Sequence, residues 1–113
     1  GMRYTHYAPR AHITVVSGKP ENVSAEVKRL YDEYVRQNKK AVIVANFSVQ
    51  YTGRDCVVLD DARTAARELF ALLRDFDAQG YEEVIAEALE PSGLGLAVMN
   101  RLLRASGFNV IEV

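Results

Sequence analysis

Tyr4, His6 and Tyr7 place two phenol rings and one imidazole within the first seven residues of this 113-residue chain. Such rings can stack on a planar ligand, donate hydrogen bonds to its polar atoms and exclude water from it. The opening run GMRYTHYAPR is too poor in aliphatic groups to pattern as an ordinary first strand. Pro9 biases Ala8 towards extended geometry, so the spacing predicts an irregular arm rather than a helix. An arm of this kind can lie across a ligand held elsewhere. Equally, its rings can cover a hydrophobic edge, or the segment can fray as termini do.

A second set of chemistry-bearing residues lies in Glu90 to Leu96 (EPSGLGL), where a strand hands over to a helix. The free amides and dipole of a helix start favour an anion, and Gly93 and Gly95, beside Ser92, would let a phosphate or carboxylate approach the backbone. The run is neither a GxGxxG in a first strand-turn-helix unit nor a P-loop with its lysine, and Glu87 and Glu90 would repel an anion. Tight turning and close helix-on-sheet packing account for the glycines equally well. Asn100 and Arg101, in the helix that follows, are candidate polar contacts, because an unpaired buried amide costs about 1–3 kcal/mol. The alternative has Asn100 bonding a neighbouring loop and Arg101 pairing with a carboxylate such as Glu87.

The third set, Asn46, Phe47, Ser48, Tyr51, Thr52, Gly53 and Arg54, is a polar loop with two rings following an apolar strand. Loops at the carboxyl ends of parallel strands are where such folds bind ligands, so a nucleotide or a partner surface would suit it. An ordinary loop reads the same way. Cys56 sits in an apolar strand and reads as an inert core thiol. His6 and His12 have no Cys or carboxylate at metal-ligand spacing, so no metal site is expected. Ser92 lacks the G-x-S-x-G elbow, and no catalytic triad can be assembled.

The elements that must position these residues alternate between short β-branched runs and longer amphipathic stretches. The pattern predicts a strand over Ile13 to Ser17 and a turn at Gly18, Lys19 and Pro20. A helix follows from Glu21 to Asn38, with Val23, Val27, Leu30, Tyr31, Tyr34 and Val35 on its inner face. Ala41 to Ala45 (AVIVA) reads as a buried central strand, and Cys56 to Leu59 as another. Asp60 or Asp61 would cap a second helix, whose inner stripe is Ala62, Ala65, Ala66, Leu69, Leu73 and Phe76 and which Gly80 ends. Val84 to Ala88 gives a fourth strand. A third helix spans Gly93 to Ala105, closed by Gly107, and Asn109 to Val113 a last strand. The fold class is therefore α/β, a Rossmann-like three-layer sandwich with a mostly parallel five-stranded sheet. The helix-free link between strands two and three makes them neighbours and favours the order 3-2-1-4-5.

Composition bounds what such a domain does. At 113 residues and 49% hydrophobic content the chain suits one domain. A domain of that size buries roughly 65% of the surface its unfolded chain exposes, so it needs no covalent staple. One cysteine excludes an internal disulfide. No apolar run approaches the ~20 residues that a membrane span needs, and no signal-peptide layout is present, which points to a soluble cytoplasmic protein. Fourteen basic and fifteen acidic residues leave a net charge of −1, without a global field for nucleic acid or anionic membrane.

Met2 to Pro9 (MRYTHYAP) resembles the linker signature of two-domain threonylcarbamoyl-AMP synthases, whose amino-terminal catalytic part is related to the YrdC protein. AARELFALLRDFDAQG and EEVIAEALEPSGLGLAVMNRLLRA are similar to that family's carboxy-terminal domain, with Gly93 to Leu102 (GLGLAVMNRL) its most recognisable piece. The family linker often carries a second basic residue where this chain has Thr5. Gly1 is either native or a scar of tag cleavage. The resemblance implies residues 1–11 as an interdomain linker arm and residues 12–113 as an accessory, regulatory domain of an enzyme acting in tRNA threonylcarbamoyladenosine modification. That enzyme would use L-threonine, bicarbonate and ATP, with Mg2+, through a catalytic domain that this sequence lacks. The chain alone would be inactive and carry no cofactor of its own, and Tyr4, His6 and Tyr7 would gate the active site. No membrane or direct nucleic-acid contact is expected, and self-association through the arm is left open. The alternative is a stand-alone nucleotide- or anion-binding module built on Gly93, Gly95 and the Asn46 to Arg54 loop. A third reading is an RNA-binding module, for which Arg3, Arg10, Lys39 and Lys40 are the cationic candidates.

Overall fold

The run AVIVA offers no polar side chain to water, and as β2 (Ala41–Ala45) it is buried along its whole length. In the computed structural model, which describes residues 10–45, 51–58, 71–87 and 109–113, β2 belongs to a sheet with β1 (His12–Ser17), β3 (Cys56–Val58), β4 (Glu83–Glu87) and β5 (Asn109–Glu112). Every pairing is parallel. Parallel strands need both faces covered, and here each face has its own apolar cluster.

One face is covered by α1 (Pro20–Arg36). Pro20 sits in its first turn, where a missing N–H costs nothing, and Asn38 takes the left-handed conformation (φ 64°) just past its end. Val23, Val27 and Leu30 pack with Val16, Ile43, Ala45, Tyr51 and Ile85. Val35 does not join them and is 47% exposed. At about 100° per residue it lies roughly 100° round the helix from the centre of that stripe. The opposite face is covered by α2, whose described turns are residues 71–78. Its Leu73 and Phe76 pack on Ala11, Ile13, Val42, Val44 and Val84. Each fully buried aliphatic or aromatic side chain contributes about 1.5–3 kcal/mol, so the two clusters dominate the stability of the domain.

The strand order is β3-β2-β4-β1-β5, not 3-2-1-4-5. β2 and β3 are neighbours as their short link requires, but β4 takes the place between β2 and β1. The cause is at its start. The amides of Glu82 and Glu83 donate to the Lys40 carbonyl (2.8 and 3.2 Å), and the His12 amide donates to the Glu82 carbonyl (2.9 Å). β4 is thereby stitched to the entries of both β2 and β1, and α1 crosses over a strand instead of joining adjacent ones. β1 and β4 each start one residue earlier than the pattern suggested, at His12 and Glu83, and α1 runs from Pro20 to Arg36. The Asp60/Asp61 cap and the third helix lie outside the described residues. No helix among the described residues is long and apolar enough to cross a membrane.

Gly18 closes β1 with φ +144°, a conformation that side chains rarely adopt, and an added Cβ would collide with the backbone carbonyl of Val113. That carbonyl is held in place, since the Val113 amide donates to Ser17 O at 2.9 Å. Gly18→Ala is expected to lose about 1–3 kcal/mol, read as a melting temperature lower by several degrees. An unchanged melting curve would show that the turn relaxes freely.

Candidate functional site

All five strands point the same way, so the starts of β1, β2, β3 and β4 share one edge of the sheet and their ends the other. The described chain enters the sheet at the starting edge, through Arg10 and Ala11. There the Arg10 and Ala11 amides both donate to the Asp77 carboxylate of α2, at 3.0 Å (Oδ2) and 3.1 Å (Oδ1). Ala11 is already core, packed with Leu73 and Phe76. One residue on, His12 Nδ1 meets Glu83 Oε1 at 2.8 Å, and Lys39 Nζ meets Glu83 Oε2 at 3.2 Å. Glu83 is 5% exposed. A carboxylate this buried is tolerable only with partners, and it has one on each side, supplied by the entries to β1 and β2.

The neighbouring cations are likewise engaged. Lys40 Nζ donates to the Gln79 carbonyl at 2.6 Å and lies 4.6 Å from the Tyr81 ring centre. Burial, then its hydrogen bond to Asp55, pushes the Tyr81 phenol up. Lys39 and Lys40 therefore do not form a free cationic patch with Arg10, and Arg3 lies outside the described residues. The chemistry available here is that of an anchor: charge-assisted hydrogen bonds hold the backbone as it enters β1.

The opposite edge carries a further buried polar pair. The chain leaves β1 towards β2 and leaves β4 the other way, towards β5, so the ends of β1 and β4 flank a topological switch point. Glu87 ends β4 there and accepts a hydrogen bond from the Tyr51 hydroxyl. Tyr51 is 1% exposed, and burial, followed by the Glu87 carboxylate, pushes its phenol far up, while a hydrogen bond with the Ser24 side chain acts the other way. Burial first and the Glu87 charge second also raise the Cys56 thiol, keeping it protonated, as suits an inert half-buried cysteine. Tyr51 and Glu87 thus form a structural phenol–carboxylate pair.

Of the residues singled out from sequence, Tyr4, His6, Tyr7, Ser92, Gly93, Gly95, Asn100 and Arg101 lie outside the described residues, as do Asn46 to Gln50. From the polar loop, Tyr51 turns inwards as core, and Arg54 forms a two-pronged pair with Asp32 of α1 (3.0 and 2.9 Å) that holds that carboxyl below its usual range. Asp77, which accepts from the Arg10 and Ala11 amides, was not found from sequence. Its signal was an acid in the last turn of a helix, the end where the dipole disfavours negative charge. Among the described residues no group of three His, Cys, Asp or Glu side chains is placed to hold a metal ion.

The profile of a family described as "Threonylcarbamoyl-AMP synthase, C-terminal domain" matches residues 1–107. The chain is 40% identical over 114 residues to the threonylcarbamoyl-AMP synthase of Pyrococcus abyssi, an alignment covering 100% of this chain and 33% of that protein. With the Bacillus subtilis threonylcarbamoyl-AMP synthase it shares 34% identity over 118 residues, covering 99% and 33% respectively. Among solved structures, the crystal structure of P. abyssi Sua5 complexed with L-threonine matches with a TM-score of 0.81 at 39% identity, over 100% of this chain and 33% of that one. A variant of P. abyssi Sua5 with an adjacent histidine and tyrosine both replaced by alanine gives 0.79 at 37% identity, over 93% of this chain and 30% of that one. The chain spans about a third of the length of the curated relatives it matches.

Proposed function

Because this chain belongs to the threonylcarbamoyl-AMP synthase C-terminal domain family, we propose that it is the accessory and regulatory domain of such a synthase, with residues 1–11 as the linker arm that gates a YrdC-like catalytic domain. The observation that carries the reading is coverage: the chain matches end to end a third of a synthase whose relative has been solved with L-threonine. The remaining two thirds are where the catalytic groups would reside. In this reading the enzyme acts in the cytoplasm on the path to threonylcarbamoyladenosine in tRNA. It uses L-threonine, bicarbonate and ATP with Mg2+, all bound by the catalytic domain.

The product of that reaction is a mixed anhydride, which water destroys. A segment that closes over the site can exclude water and order the reactants without supplying a nucleophile. Tyr4, His6 and Tyr7 suit that work, being two ring types with polar edges on a proline-stiffened arm. The solved relative with an adjacent histidine and tyrosine replaced lends support, since His6 and Tyr7 are such a pair here. The anchor adds a second support: the arm joins the domain at a fixed point, on the edge of the sheet away from the switch point. From that root nine residues can reach at most about 30 Å.

Incubated with L-threonine, bicarbonate, ATP and Mg2+, the 113-residue chain is expected to release no pyrophosphate above background. The catalytic domain joined to it should turn over, and should lose rate when residues 1–11 are replaced by a glycine-serine linker of equal length. Turnover by the chain alone would sink the proposal. Tight stoichiometric ATP binding to the chain alone, seen by calorimetry, would favour the stand-alone nucleotide-binding module instead.

A further inference from the structure

The Arg10–Ala11 segment is bent, and a single side chain accounts for the bend. In an extended chain successive amides point to opposite sides. One carboxylate can receive two successive amides only where the chain turns. The Asp77 carboxylate does receive both, through one oxygen each, at 3.0 Å from Arg10 and 3.1 Å from Ala11. The next amide, of His12, is held separately by the Glu82 carbonyl at 2.9 Å. Three consecutive amides are therefore fixed as the arm enters the sheet, and the first two depend on Asp77.

Asp77 itself cannot swing away easily. It sits in the last described turn of α2, its carbonyl accepts from the Gly80 amide at 3.1 Å, and the adjacent Phe76 is buried beside Ala11. A carboxylate near the negative end of a helix dipole is poorly placed for the helix. Two charge-assisted hydrogen bonds from the arm compensate for that position.

We infer that Asp77 is a positioning residue for the arm: by holding the bend at Arg10 and Ala11 it fixes the direction in which the chain leaves the domain towards residues 1–9. This rests on the reading of residues 1–11 as the gating arm. The residue acts through the arm and touches no reactant.

The test has two parts. In the 113-residue chain, amide hydrogen exchange at Arg10 and Ala11 should accelerate at least about tenfold in Asp77→Ala, because both acceptors vanish. The His12 amide and the amides of β2 and β4 should keep their protection. In the two-domain enzyme, Asp77→Ala should lower kcat for adenylate formation on the order of tenfold or more, as misplacement of a closing segment does, with a smaller change in KM for threonine. Asp77→Asn retains one oxygen of the same shape and should recover part of both effects; it also serves where the alanine variant fails to fold. Unchanged exchange at Arg10 and Ala11 would overturn the inference, as would freed amides with normal kcat and KM. The exchange measurement does not involve the rings, so an unchanged rate after Tyr4, His6 and Tyr7 are all replaced by alanine, beside freed amides in Asp77→Ala, would sink the gating reading and leave the grip of Asp77 on Arg10 and Ala11 standing.

Discussion

Replacing Tyr51 by alanine is expected to destabilise the domain by about 3–5 kcal/mol, a large share of the 5–15 kcal/mol that holds a typical domain folded. Its ring is 1% exposed and shares a cluster with Val16, Val27, Ile43, Ala45 and Ile85, so truncation opens a cavity at the centre of the α1 face. Tyr51→Phe keeps the ring and removes only the hydroxyl donated to Glu87, and should cost about 1–3 kcal/mol. Chemical denaturation of the three proteins measures both. A phenylalanine variant as stable as the parent would show that the phenol–carboxylate bond contributes nothing.

The same residue predicts an alkaline weakness, and its sign follows from linkage. Burial and the Glu87 charge raise the phenol of folded Tyr51 above its ordinary value of about 10. Below about pH 10 the phenol is protonated in both states and its contribution is fully present. Above that, the unfolded chain releases the proton first, so stability falls as pH rises towards the folded value. Tyr51→Phe should flatten that decline, leaving the smaller share of Tyr81, whose phenol is raised by burial and Asp55. An equally steep alkaline decline in Tyr51→Phe would assign it elsewhere.

How much of this was legible depends on the range over which each feature is written. AVIVA declares a buried strand within five residues, and Val23, Val27 and Leu30 declare a helix face within eight. The parallel α/β class follows from such local patterns. The position of β4 does not, because it is fixed by Glu82 and Glu83 meeting Lys39, Lys40 and His12, groups separated by about forty to seventy positions. Nothing in EVIAE says which strands flank it. Tyr51 looked like a loop ring because Thr52, Gly53 and Arg54 follow it, whereas its ring packs with Val16, Val27 and Ile85 and its hydroxyl meets Glu87, 36 residues away. Asp77 stands in the sequence as an acid near a helix end, and the two amides it accepts lie 66 and 67 positions earlier. The family resemblance, by contrast, was carried by contiguous runs and could be read directly.

The largest effect on activity is expected from Tyr7→Ala in the two-domain enzyme: adenylate formation reduced on the order of a hundredfold, with the melting temperature of this domain unchanged. Both halves of that expectation come from the gating proposal. The loss of rate follows from the proposed gating, since a ring that closes on a labile anhydride acts on water access and reactant order rather than on bond making. The unchanged stability follows from the same proposal, since a ring that works on the site is not spent on the local core. Among the described residues the apolar clusters begin at Ala11, and the Arg10 and Ala11 amides are held by Asp77. Pyrophosphate release and thermal denaturation of the same preparation separate the possibilities. A melting temperature lowered by several degrees with normal turnover would make Tyr7 a packing residue of this domain. Normal values of both would remove it from the gate, and the closing work would then fall to Tyr4 and His6 or to no part of the arm at all.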